Sequence, residues 1–497
     1  MSKLDVLLIN PSSRKQEYRE LGASLAACEP PIWTALLAAF IREKGNSVAI
    51  IDADAERWTP QHTADKIAEY NPLLVGISAI GANPSASSTP KMPVIRQLLN
   101  NLNSKGSHIK TFLYGIHPSA LPERTLREEH VDFICRGECF YTIPKLVDAL
   151  KSNDEKYEID GLWYRQNDQI ISNGWGKLVE DIDELPFAAW DLLPMHLYRA
   201  HNWHCFQHLD KRQPYGVIYT GLGCPYNCTY CNIHALYDGK PRIRFRSPKK
   251  VAEEIDLLVR QYKVKNIKIL DELFVLKESR VLEFCDLIIE RGYDLNIWAY
   301  ARIDTINEKV LKKMKQGGIN WLAYGIESGS KVVRNGVHKG KFTQEAIIKA
   351  IEMTKKAGIY IIGNYMFGLP DDDLATMRAT LDLAKDINCE YANFYSTMAY
   401  PGSQLYEDNT EKGIEMPDNW IGFSQLSEET FPLPTKYLSN VEVLRFRDQA
   451  FQEYFSNPQY LEMIEEKFGM EVVEHINQML RHKIHRKLLN QNHLQIS

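Results

Sequence analysis

Three cysteines in the middle of the chain stand at a spacing that could hold a metal cluster. Cys224, Cys228 and Cys231 lie within the stretch Gly221-Leu-Gly-Cys-Pro-Tyr-Asn-Cys-Thr-Tyr-Cys231, in the pattern Cys-x3-Cys-x2-Cys. A four-iron cluster is usually held by four cysteine thiolates. A site with only three would leave one iron free to bind a substrate or a cofactor. The spacing therefore predicts a reactive iron–sulfur cluster and not only an electron-transfer centre.

Zinc is the alternative occupant of this loop. Structural zinc takes four ligands, commonly from paired Cys-x2-Cys units. This loop has one such unit, Cys228 and Cys231, and the neighbouring His234 could complete a set of four with Cys224. The missing second unit makes zinc the less favoured occupant, and both alternatives stay open at this point.

The loop resembles the cluster motif of the radical S-adenosylmethionine enzymes, including the aromatic Tyr230 before the last cysteine. Further matching segments follow in the order that this family uses, from about residue 215 to about residue 405. These segments are Arg246–Ile255, Asp271–Phe274, Ala301–Asp304, Tyr324–Ser330, Gly368–Pro370 and Tyr400–Ser403. The resemblance implies a [4Fe-4S] cluster held by the three cysteines, with S-adenosyl-L-methionine bound to its open iron.

Strand and helix patterns alternate from Tyr215 onward and form six units. Six units fit the incomplete parallel (β/α)6 barrel of the resembled family, and in such barrels the chemistry lies at the carboxyl ends of the strands. The unusual residues at these strand ends are, in order, Cys224; Asp271 and Glu272; Arg302; Glu327 and Ser328; Phe367–Pro370, with Leu369; and Tyr400 and Pro401.

By resemblance, the strand-end residues bind S-adenosylmethionine. Asp271 or Glu272 is expected to accept hydrogen bonds from its ammonium group. Arg302 is expected to pair bidentately with its carboxylate, and Glu327 or Ser328 to bond the ribose hydroxyls. The common family form after the second strand is Gly-Gly-Glu, so this chain departs from it and the ammonium partner stays open. The same cofactor site is assigned Tyr230 and Leu369.

Residues 1 to 150 contain strands that alternate with helices, beginning with the apolar run Leu4–Asn10. This pattern predicts a doubly wound parallel sheet. Such sheets bind ligands beyond the carboxyl ends of their strands. No Gly-x-Gly-x-x-Gly follows the first strand, so a dinucleotide is not indicated. The predicted ligand contacts are Asn10, Pro11, Ser12, Ser78, Gly115, His117, Pro118, Gly137 and Glu138.

This N-terminal segment resembles the cobalamin-binding domain of one branch of the radical enzymes, in the Asn10-Pro11 turn, the loop Gly115–Ala120 and Arg136–Glu138. The resemblance implies cobalamin as a further cofactor. The Asp-x-His-x-x-Gly that supplies a lower histidine ligand to cobalt in other cobalamin proteins is missing. Because this motif is missing, we expect no protein imidazole below the cobalt. His117 is the only histidine in a predicted crevice loop, and it does not belong to such a motif. The alternative is a sheet domain whose loops only pack against the barrel.

Length and composition describe a globular chain of two or three domains, with 497 residues, 25% of them charged. We predict domains at 1–150, 215–410 and 411–497, with an ordered strap at 151–214 and a helical C-terminal region.

The net charge of −5 argues against nucleic acid as the main partner. Neither a membrane span nor a signal peptide is expected. Nine cysteines, three of them clustered, favour a reducing cytoplasm.

The C-terminal region offers two further features. Trp420, Phe423 and Phe431 lie in a loop-rich stretch that could cap the barrel mouth and shape a substrate pocket, or simply pack. The basic run Arg481–Lys487 is of a kind that most often forms a solvated face.

Together the implied cofactors favour a cobalamin-dependent radical S-adenosylmethionine methyltransferase. A 5'-deoxyadenosyl radical would take a hydrogen from the substrate, and methylcobalamin would give a methyl group to a carbon, or phosphorus, of a small molecule. Flavodoxin or ferredoxin would supply the electron. The first alternative is a cyclase or rearrangement enzyme with the same cofactors.

Two other functions are less favoured. A transfer RNA methylthiotransferase would need a second set of cluster cysteines and a basic RNA-binding barrel. Cys28, Cys135 and Cys139 are spaced too irregularly for such a set. A carrier without enzymatic activity would leave the polar strand ends of the barrel without a purpose.

Overall fold

The computed structural model describes residues 4–17, 26–106, 109–340 and 342–491. Its strands form a seven-stranded sheet, a six-stranded sheet and a two-stranded hairpin, and helices follow the second sheet. The predicted fold class, an α/β chain with an N-terminal sheet domain, a partial barrel and a helical C-terminal region, is confirmed.

The first sheet has the strand order β2-β1-β3-β4-β5-β6-β7. Strands β1 to β5 are parallel, whereas β6 and β7 join the edge antiparallel. All five residues of β1 are buried, as expected for a parallel strand covered on both faces. The strands are β1 Val6–Asn10, β2 Val48–Asp52, β3 Leu74–Ala79, β4 Lys110–Gly115, β5 Phe133–Cys135, β6 Leu162–Gln166 and β7 Gln169–Ser172.

Helices cover both faces of this sheet. Helix α2 is buried at ten successive positions, Ile32 to Ile41, because it lies between the first sheet and the barrel. Its Trp33 ring packs edge-on against Tyr219 of the barrel at 5.9 Å, so one hydrophobic core continues from one domain into the other. The helices are α1 Arg14–Glu17, α2 Ile32–Glu43, α3 Pro60–Tyr70, α4 Pro84–Ser87, α5 Met92–Ser104, α6 Ile116–Ala120, α7 Pro122–Glu128 and α8 Thr142–Ser152.

The segment predicted as a strap, 151–214, contributes more than a crossing. Its small hairpin, β6 and β7, extends the first sheet, so that sheet is mixed and not wholly parallel. The rest of the segment runs through short 3-10 turns and returns to the N-terminal domain, where Cys28 and Arg199 form an isolated bridge.

The second sheet is the partial barrel, with six parallel strands in the order β15-β14-β13-β12-β11-β8. The two end strands, β8 and β15, are not paired with each other, so the barrel stays open between them. Strands β9 and β10 form a separate antiparallel hairpin beside the first barrel strand. The strands are β8 Tyr215–Ile218, β9 Gly221–Cys224, β10 Arg242–Phe245, β11 Asn266–Ile269, β12 Asn296–Ala301, β13 Ile319–Glu327, β14 Tyr360–Phe367 and β15 Tyr391–Ser396.

Most of the barrel helices start at a side chain that caps their free N–H groups, as Ser247, Asn307, Thr343 and Asp373 do. Each such cap is worth about 1 kcal/mol and fixes where a strand-end loop stops. The helices are α9 Pro248–Tyr262, α10 Glu278–Arg291, α11 Glu308–Gln316, α12 Lys331–Gly336, α13 Gln344–Lys356 and α14 Leu374–Ile387.

The C-terminal region covers the open side of the barrel next to β15. Tyr454 donates a hydrogen bond of 2.7 Å to the Cys389 carbonyl, and Arg447 donates one of 2.8 Å to the Phe394 carbonyl. Within the described ranges, no helix is long and apolar enough to cross a bilayer. The helices are α15 Gln404–Glu411, α16 Asn440–Phe455, α17 Pro458–Phe468, α18 Met470–Arg481 and α19 Lys487–Gln491.

Candidate functional site

The cysteine loop begins on the hairpin, because Cys224 is the last residue of β9. Gly223 before it has φ +93, and a Cβ there would lie 2.3 Å from the Arg242 carbonyl oxygen, so the hairpin can close only on glycine. The Thr229 N–H then donates 3.2 Å to the Val337 carbonyl, which fixes the loop against the end of α12. The hairpin and this contact therefore set the positions of the thiols.

All three thiols are free and half-buried. Burial raises the pKa of Cys224 to about 11 and that of Cys231 to about 12. A coordinated metal reverses this effect because it binds and stabilises the thiolate. The thiols also lie close together, because Cys228 contributes to the raised pKa of Cys224, and Cys228 and Cys224 both contribute to that of Cys231. The site therefore fits a metal cluster that binds one thiolate per iron.

The zinc alternative gains no support from the geometry. His234 directs Nε2 at the Tyr226 carbonyl oxygen, 2.7 Å away, so that nitrogen donates to the loop backbone. Among the described residues, no three His, Cys, Asp or Glu side chains converge as ligands of a single ion must. Thiolates that bind separate irons need not converge on one point.

Asp271 and Glu272, the two carboxylates after β11, have different environments. Asp271 accepts hydrogen bonds from the N–H of Thr220, at 2.6 Å, and from its hydroxyl. Its carboxylate therefore holds the ends of β8 and β11 together. Glu272 has both oxygens buried and no well-formed hydrogen bond within the described part of the chain; the N–H groups of Glu272 and Gly223 are merely nearby.

Burial, with the charge of Asp271 nearby, raises the pKa of Glu272 to about 8. A buried carboxylate without a partner is costly unless a cationic ligand completes the site. Of the two residues that the sequence left open, Glu272 is thus the one free to meet the ammonium group of S-adenosylmethionine.

Replacing Glu272 by glutamine is expected to weaken S-adenosylmethionine binding by about tenfold or more, since a hydrogen bond to a charged group contributes about 1.5–3 kcal/mol. Equilibrium dialysis with the reconstituted protein under anaerobic conditions measures this. The matched control is Asp271→Asn, which removes the charge and one of the two oxygens that accept from Thr220. It should lower thermal stability with little effect on affinity. Equal affinities of Glu272→Gln and the unchanged protein would contradict the assignment.

Arg302 lies at the predicted strand end, but its bidentate partner is part of the protein. Its Nε and Nη2 bond the two carboxylate oxygens of Asp304 at 2.9 and 3.1 Å. The guanidinium also stacks over the ring of Tyr226, in the cysteine loop, 3.7 Å from its centroid. Only Nη1 remains free of Asp304 in this structure. The bidentate pair with the cofactor carboxylate stays a prediction, and it would require Arg302 to give up at least one bond to Asp304.

Glu327 joins the cysteine loop to the barrel. Its carboxylate accepts hydrogen bonds from the Tyr230 hydroxyl at 3.1 Å and from the buried Lys339 amine at 2.7 Å. The residue has φ +64, and the β13/β14 register shifts at this point. A non-glycine residue in this region costs about 1–2 kcal/mol and is common where strand ends carry function.

The other two residues assigned to this site lie behind it. The Ser328 hydroxyl is buried, lies 3.2 Å from the Thr380 hydroxyl and accepts the Ser330 N–H. The Ser328 hydroxyl therefore already has hydrogen-bond partners within the barrel wall. Of Glu327 and Ser328, Glu327 is the residue better placed to bond the ribose hydroxyls of S-adenosylmethionine. Leu369 is buried in a small apolar cluster that Tyr230 packs against.

A small cavity of about 100 Å³ lies at the carboxyl ends of β1 and β3. The strand order reverses between these strands, which is where open α/β sheets bind ligands. Asn10 and Ser78 line this cavity, as predicted from the sequence. The Asn10 amide donates to Asp52 at 2.8 Å and accepts from Lys91 at 2.7 Å, so the polar floor is held rigidly. Pro11 and Ser12 follow in the same turn.

The other predicted contacts of the first sheet do not line this cavity. His117 is buried beside Thr89, Nδ1 to Oγ1 3.2 Å, and packs edge-on against Trp420 at 4.5 Å. Burial lowers the pKa of His117 to about 3. Pro118 is buried in the same short helix, and Gly115, with φ +118, turns the chain into it.

Glu138 and Gly137 are also structural. The Glu138 carboxylate is buried, pairs with Arg244 of β10 and accepts the Val179 N–H at 3.0 Å. The Gly137 N–H donates to the Ser119 hydroxyl at 2.9 Å. In this structure the loops after β4 and β5 contact the hairpin of β9 and β10 and the C-terminal region. Their contact with cobalamin remains a prediction.

A larger cavity of about 800 Å³ occupies the open barrel. Its inner wall carries Trp298 and Tyr300 of β12 and Tyr391 and Tyr395 of β15, and its outer wall is the C-terminal region. The burial of the Tyr300 phenol, with Tyr395, Glu29 and Glu272 nearby, raises its pKa well above 10. Tyr300, near the carboxyl end of β12, is thus the part of the cavity wall that is nearest to Glu272 in charge interaction.

The two cavities are neighbours. Ala82, Glu29 and His201 line both. Lys268 of β11 donates to the two Glu29 oxygens at 3.0 and 2.8 Å and to the Ala82 carbonyl at 2.9 Å. This buried ion pair joins the N-terminal domain to the barrel where the cavities meet, and sequence reasoning missed it because neither residue stands in a motif.

His201, in the strap, was also missed. Its Nδ1 accepts the Ala27 N–H at 3.3 Å, so the proton stays on Nε2 and neither nitrogen offers a free lone pair. Its ring stacks on Trp203 at 5.4 Å. Only its environment distinguishes this histidine, so no sequence signal could have found it.

We expect the cob(II)alamin form of the protein to show no splitting from a nitrogen ligand in electron paramagnetic resonance. The reason is that His117 lies outside both cavities and His201 uses Nδ1 as an acceptor. The spectrum should be the same in His117→Ala and His201→Ala. Nitrogen splitting that disappears in either variant would identify that residue as the ligand and contradict this account.

Comparisons with known proteins agree with both halves of this arrangement. The B12 binding domain model matches residues 18–147 and the Radical SAM superfamily model matches residues 218–384. The cysteine loop lies within the second segment. The first segment contains Ser78 and much of the lining of the small cavity, whereas Asn10 precedes it.

Relatives align along most of the chain. The uncharacterized methyltransferase PH0819 of Pyrococcus horikoshii is 31% identical over 462 residues, which cover 93% of this chain and 94% of that protein. The anaerobic magnesium-protoporphyrin IX monomethyl ester cyclase of Rubrivivax gelatinosus is 25% identical over 465 residues, covering 92% and 78%.

A solved structure shows the same fold. The radical S-adenosylmethionine methyltransferase TsrM of Kitasatospora setae, with cobalamin and a [4Fe-4S] cluster bound, aligns with a TM-score of 0.67 at 17% identity. The alignment covers 92% of this chain and 90% of TsrM. With both domain models matched in order and a 31% identical relative aligned end to end, the chain belongs to the cobalamin-dependent radical S-adenosylmethionine enzymes, whose cofactors are a [4Fe-4S] cluster, S-adenosylmethionine and cobalamin.

Proposed function

We propose that this enzyme transfers a methyl group to a carbon, or a phosphorus, of a small molecule bound in the large cavity. The observation that carries the proposal is that the wall of this one cavity is built from both halves of the protein. Glu29 and Ala82 come from the B12-binding side, and Tyr300, whose pKa is raised by burial and in part by the charge of Glu272, comes from the barrel. A substrate held there would lie between the two groups that must act on it.

When bound, the cluster and S-adenosylmethionine supply a radical that removes a hydrogen atom, and cobalamin supplies the methyl group. The protein contributes binding, orientation and the exclusion of water. Glu272, Nη1 of Arg302 and Glu327 are proposed to orient S-adenosylmethionine, with Tyr230 and Leu369 beside it. Asn10 and Ser78 are proposed to bind part of the cobalamin.

Ring closure without methylation is the second candidate, because a relative of 25% identity is named as a cyclase. The two are separated by product mass. The test incubates the reduced holoenzyme with cell extract and S-adenosylmethionine carrying a deuterated methyl group. We expect a small molecule that gains the deuterated methyl group. A product without the label, or one that loses hydrogen, would favour the cyclase instead.

We also propose that the electron comes from a flavodoxin or ferredoxin in the cytoplasm. The donor is proposed to approach the cluster on the side of Cys228, because the half-buried thiol of this residue lies 3.8 Å from the carbonyl oxygen of the exposed His338.

The division into domains at 1–150, 215–410 and 411–497 is proposed with one change. The hairpin of residues 162–172 goes with the N-terminal domain, whose sheet it extends.

A further inference from the structure

The outer wall of the large cavity is basic, and this feature has no role in the chemistry described above. Arg445 of α16 lines the cavity together with His482 and Lys483, which directly follow α18. The last two belong to the basic run that the sequence alone assigned to a solvated face. In the same run Arg486 is buried and pairs with Asp448, so the segment is anchored, and Lys483 is thereby held at the cavity.

The carboxylates that line this cavity already have cationic partners. Asp448 pairs with Arg447 and Arg486, and Glu453 pairs with Arg378 and Lys385. Glu29 pairs with Lys268. In contrast, Arg445 and Lys483 have no hydrogen bond or ion pair within the part of the chain that the structure describes. The cavity therefore has an excess of positive charge on its outer wall, and that charge is available to a ligand.

The remainder of the lining is mainly apolar and aromatic. Trp203, Trp298 and Tyr391 form the inner side, and Phe451 and Met479 belong to the outer side. Such walls bind the body of a ligand through apolar contact, whereas the cations at the rim require an acidic group. These two requirements are met by one molecule only if it is amphiphilic.

We propose that the substrate is an anionic amphiphile, an apolar molecule that ends in a carboxylate or a phosphate. Arg445 and Lys483 bind the anionic group, and the apolar body lies along the aromatic wall toward Tyr300 and the strand ends. This assignment rests on the proposed function, because it takes the large cavity as the place where the substrate binds. The other source of an anionic group is the phosphodiester of cobalamin itself, which the experiment separates.

The test uses 11-(dansylamino)undecanoic acid as a fluorescent probe, with its neutral amide as the matched ligand. Both are titrated into the anaerobically reconstituted holoenzyme. We expect saturable binding of the acid, about tenfold tighter than the amide at low salt, since two partly exposed cations are involved. The preference should shrink as ionic strength rises.

The double variant Arg445→Gln/Lys483→Gln should bind the acid and the amide equally. Arg481→Gln is the matched control, because Arg481 is an exposed cation of the same run that does not line the cavity. It should keep the full preference for the acid. Cobalamin, iron and reductive cleavage of S-adenosylmethionine are measured in the same samples, so failure of the cofactor chemistry is seen separately.

Three results would overturn the inference: equal binding of acid and amide by the unchanged protein, a preference for the acid that survives in the double variant, or loss of cobalamin from the double variant. The last result would assign the two cations to the phosphodiester of the cofactor. Normal cofactor content and cleavage alongside either of the first two would leave the proposed function standing and remove only the substrate class.

Discussion

Alanine at Cys224, Cys228 or Cys231 is expected to abolish cluster binding in each single variant. A three-ligand site has no spare thiolate, and no other cysteine of the described chain lies in this loop. Iron and sulfide analysis after anaerobic reconstitution measures the effect, and reductive cleavage of S-adenosylmethionine should disappear with the iron.

The matched control is Cys285→Ala, which removes a buried thiol of α10 that packs in the core. It should bind the cluster at the wild-type level with a small loss of stability. Iron content near the wild-type value in any of the three loop variants would contradict the assignment of the cluster to these cysteines.

Phenylalanine at position 78 is expected to prevent cobalamin binding while the cluster still forms. Ser78 is only 2% exposed and lines the cavity of about 100 Å³, which a phenyl ring would largely fill. We expect cobalamin affinity to fall by about a hundredfold or more, which corresponds to about 2.7 kcal/mol. Equilibrium dialysis with hydroxocobalamin measures it.

Ser78→Ala is the control, since it removes the hydroxyl without filling the cavity, and it should keep most of the affinity. Overpacking costs about 1–3 kcal/mol, so thermal unfolding of both variants has to show a folded protein. A folded Ser78→Phe that binds cobalamin normally would place the cofactor elsewhere.

A point variant is a cleaner test than removal of the N-terminal domain. Deleting residues 1 to 150 would leave the hairpin of β6 and β7 without its sheet and would expose the barrel surface that α2 covers. Loss of cobalamin from such a fragment would follow from misfolding as readily as from a missing site.

The sequence predicted the local elements well because their signals are local. The apolar run at β1, the six strand and helix units and the cysteine loop all depend on neighbouring residues. The hairpin β9/β10 was not predicted, since its pairing of Gly223 with Ile243 joins residues on either side of the cluster loop.

Only some of the predicted strand-end contacts line the small cavity, for a topological reason. Sequence patterns predict the order of strands along the chain but not their order in the sheet. Asn10 and Ser78 follow the two strands between which the sheet reverses and line the cavity, whereas His117 and Glu138 follow β4 and β5 and face other partners.

The hydrogen-bond partners of individual side chains could not be predicted from the sequence either. Asp271 and Glu272 are adjacent, yet one is bonded to Thr220 and the other is left without a bond. The difference arises because Thr220, just after β8, meets Asp271 and not Glu272. Such contacts between distant segments decide which residue remains available to a ligand.

We propose that one chain carries both cofactors in neighbouring sites and uses them for methyl transfer. The most direct test of this needs no substrate. The reduced holoenzyme is incubated with S-adenosylmethionine carrying a deuterated methyl group, and the cobalamin is extracted for mass spectrometry. We expect the deuterated methyl group on the cobalamin, with an equal amount of S-adenosylhomocysteine. Cobalamin that stays unlabelled while S-adenosylmethionine is cleaved only to 5'-deoxyadenosine would contradict it.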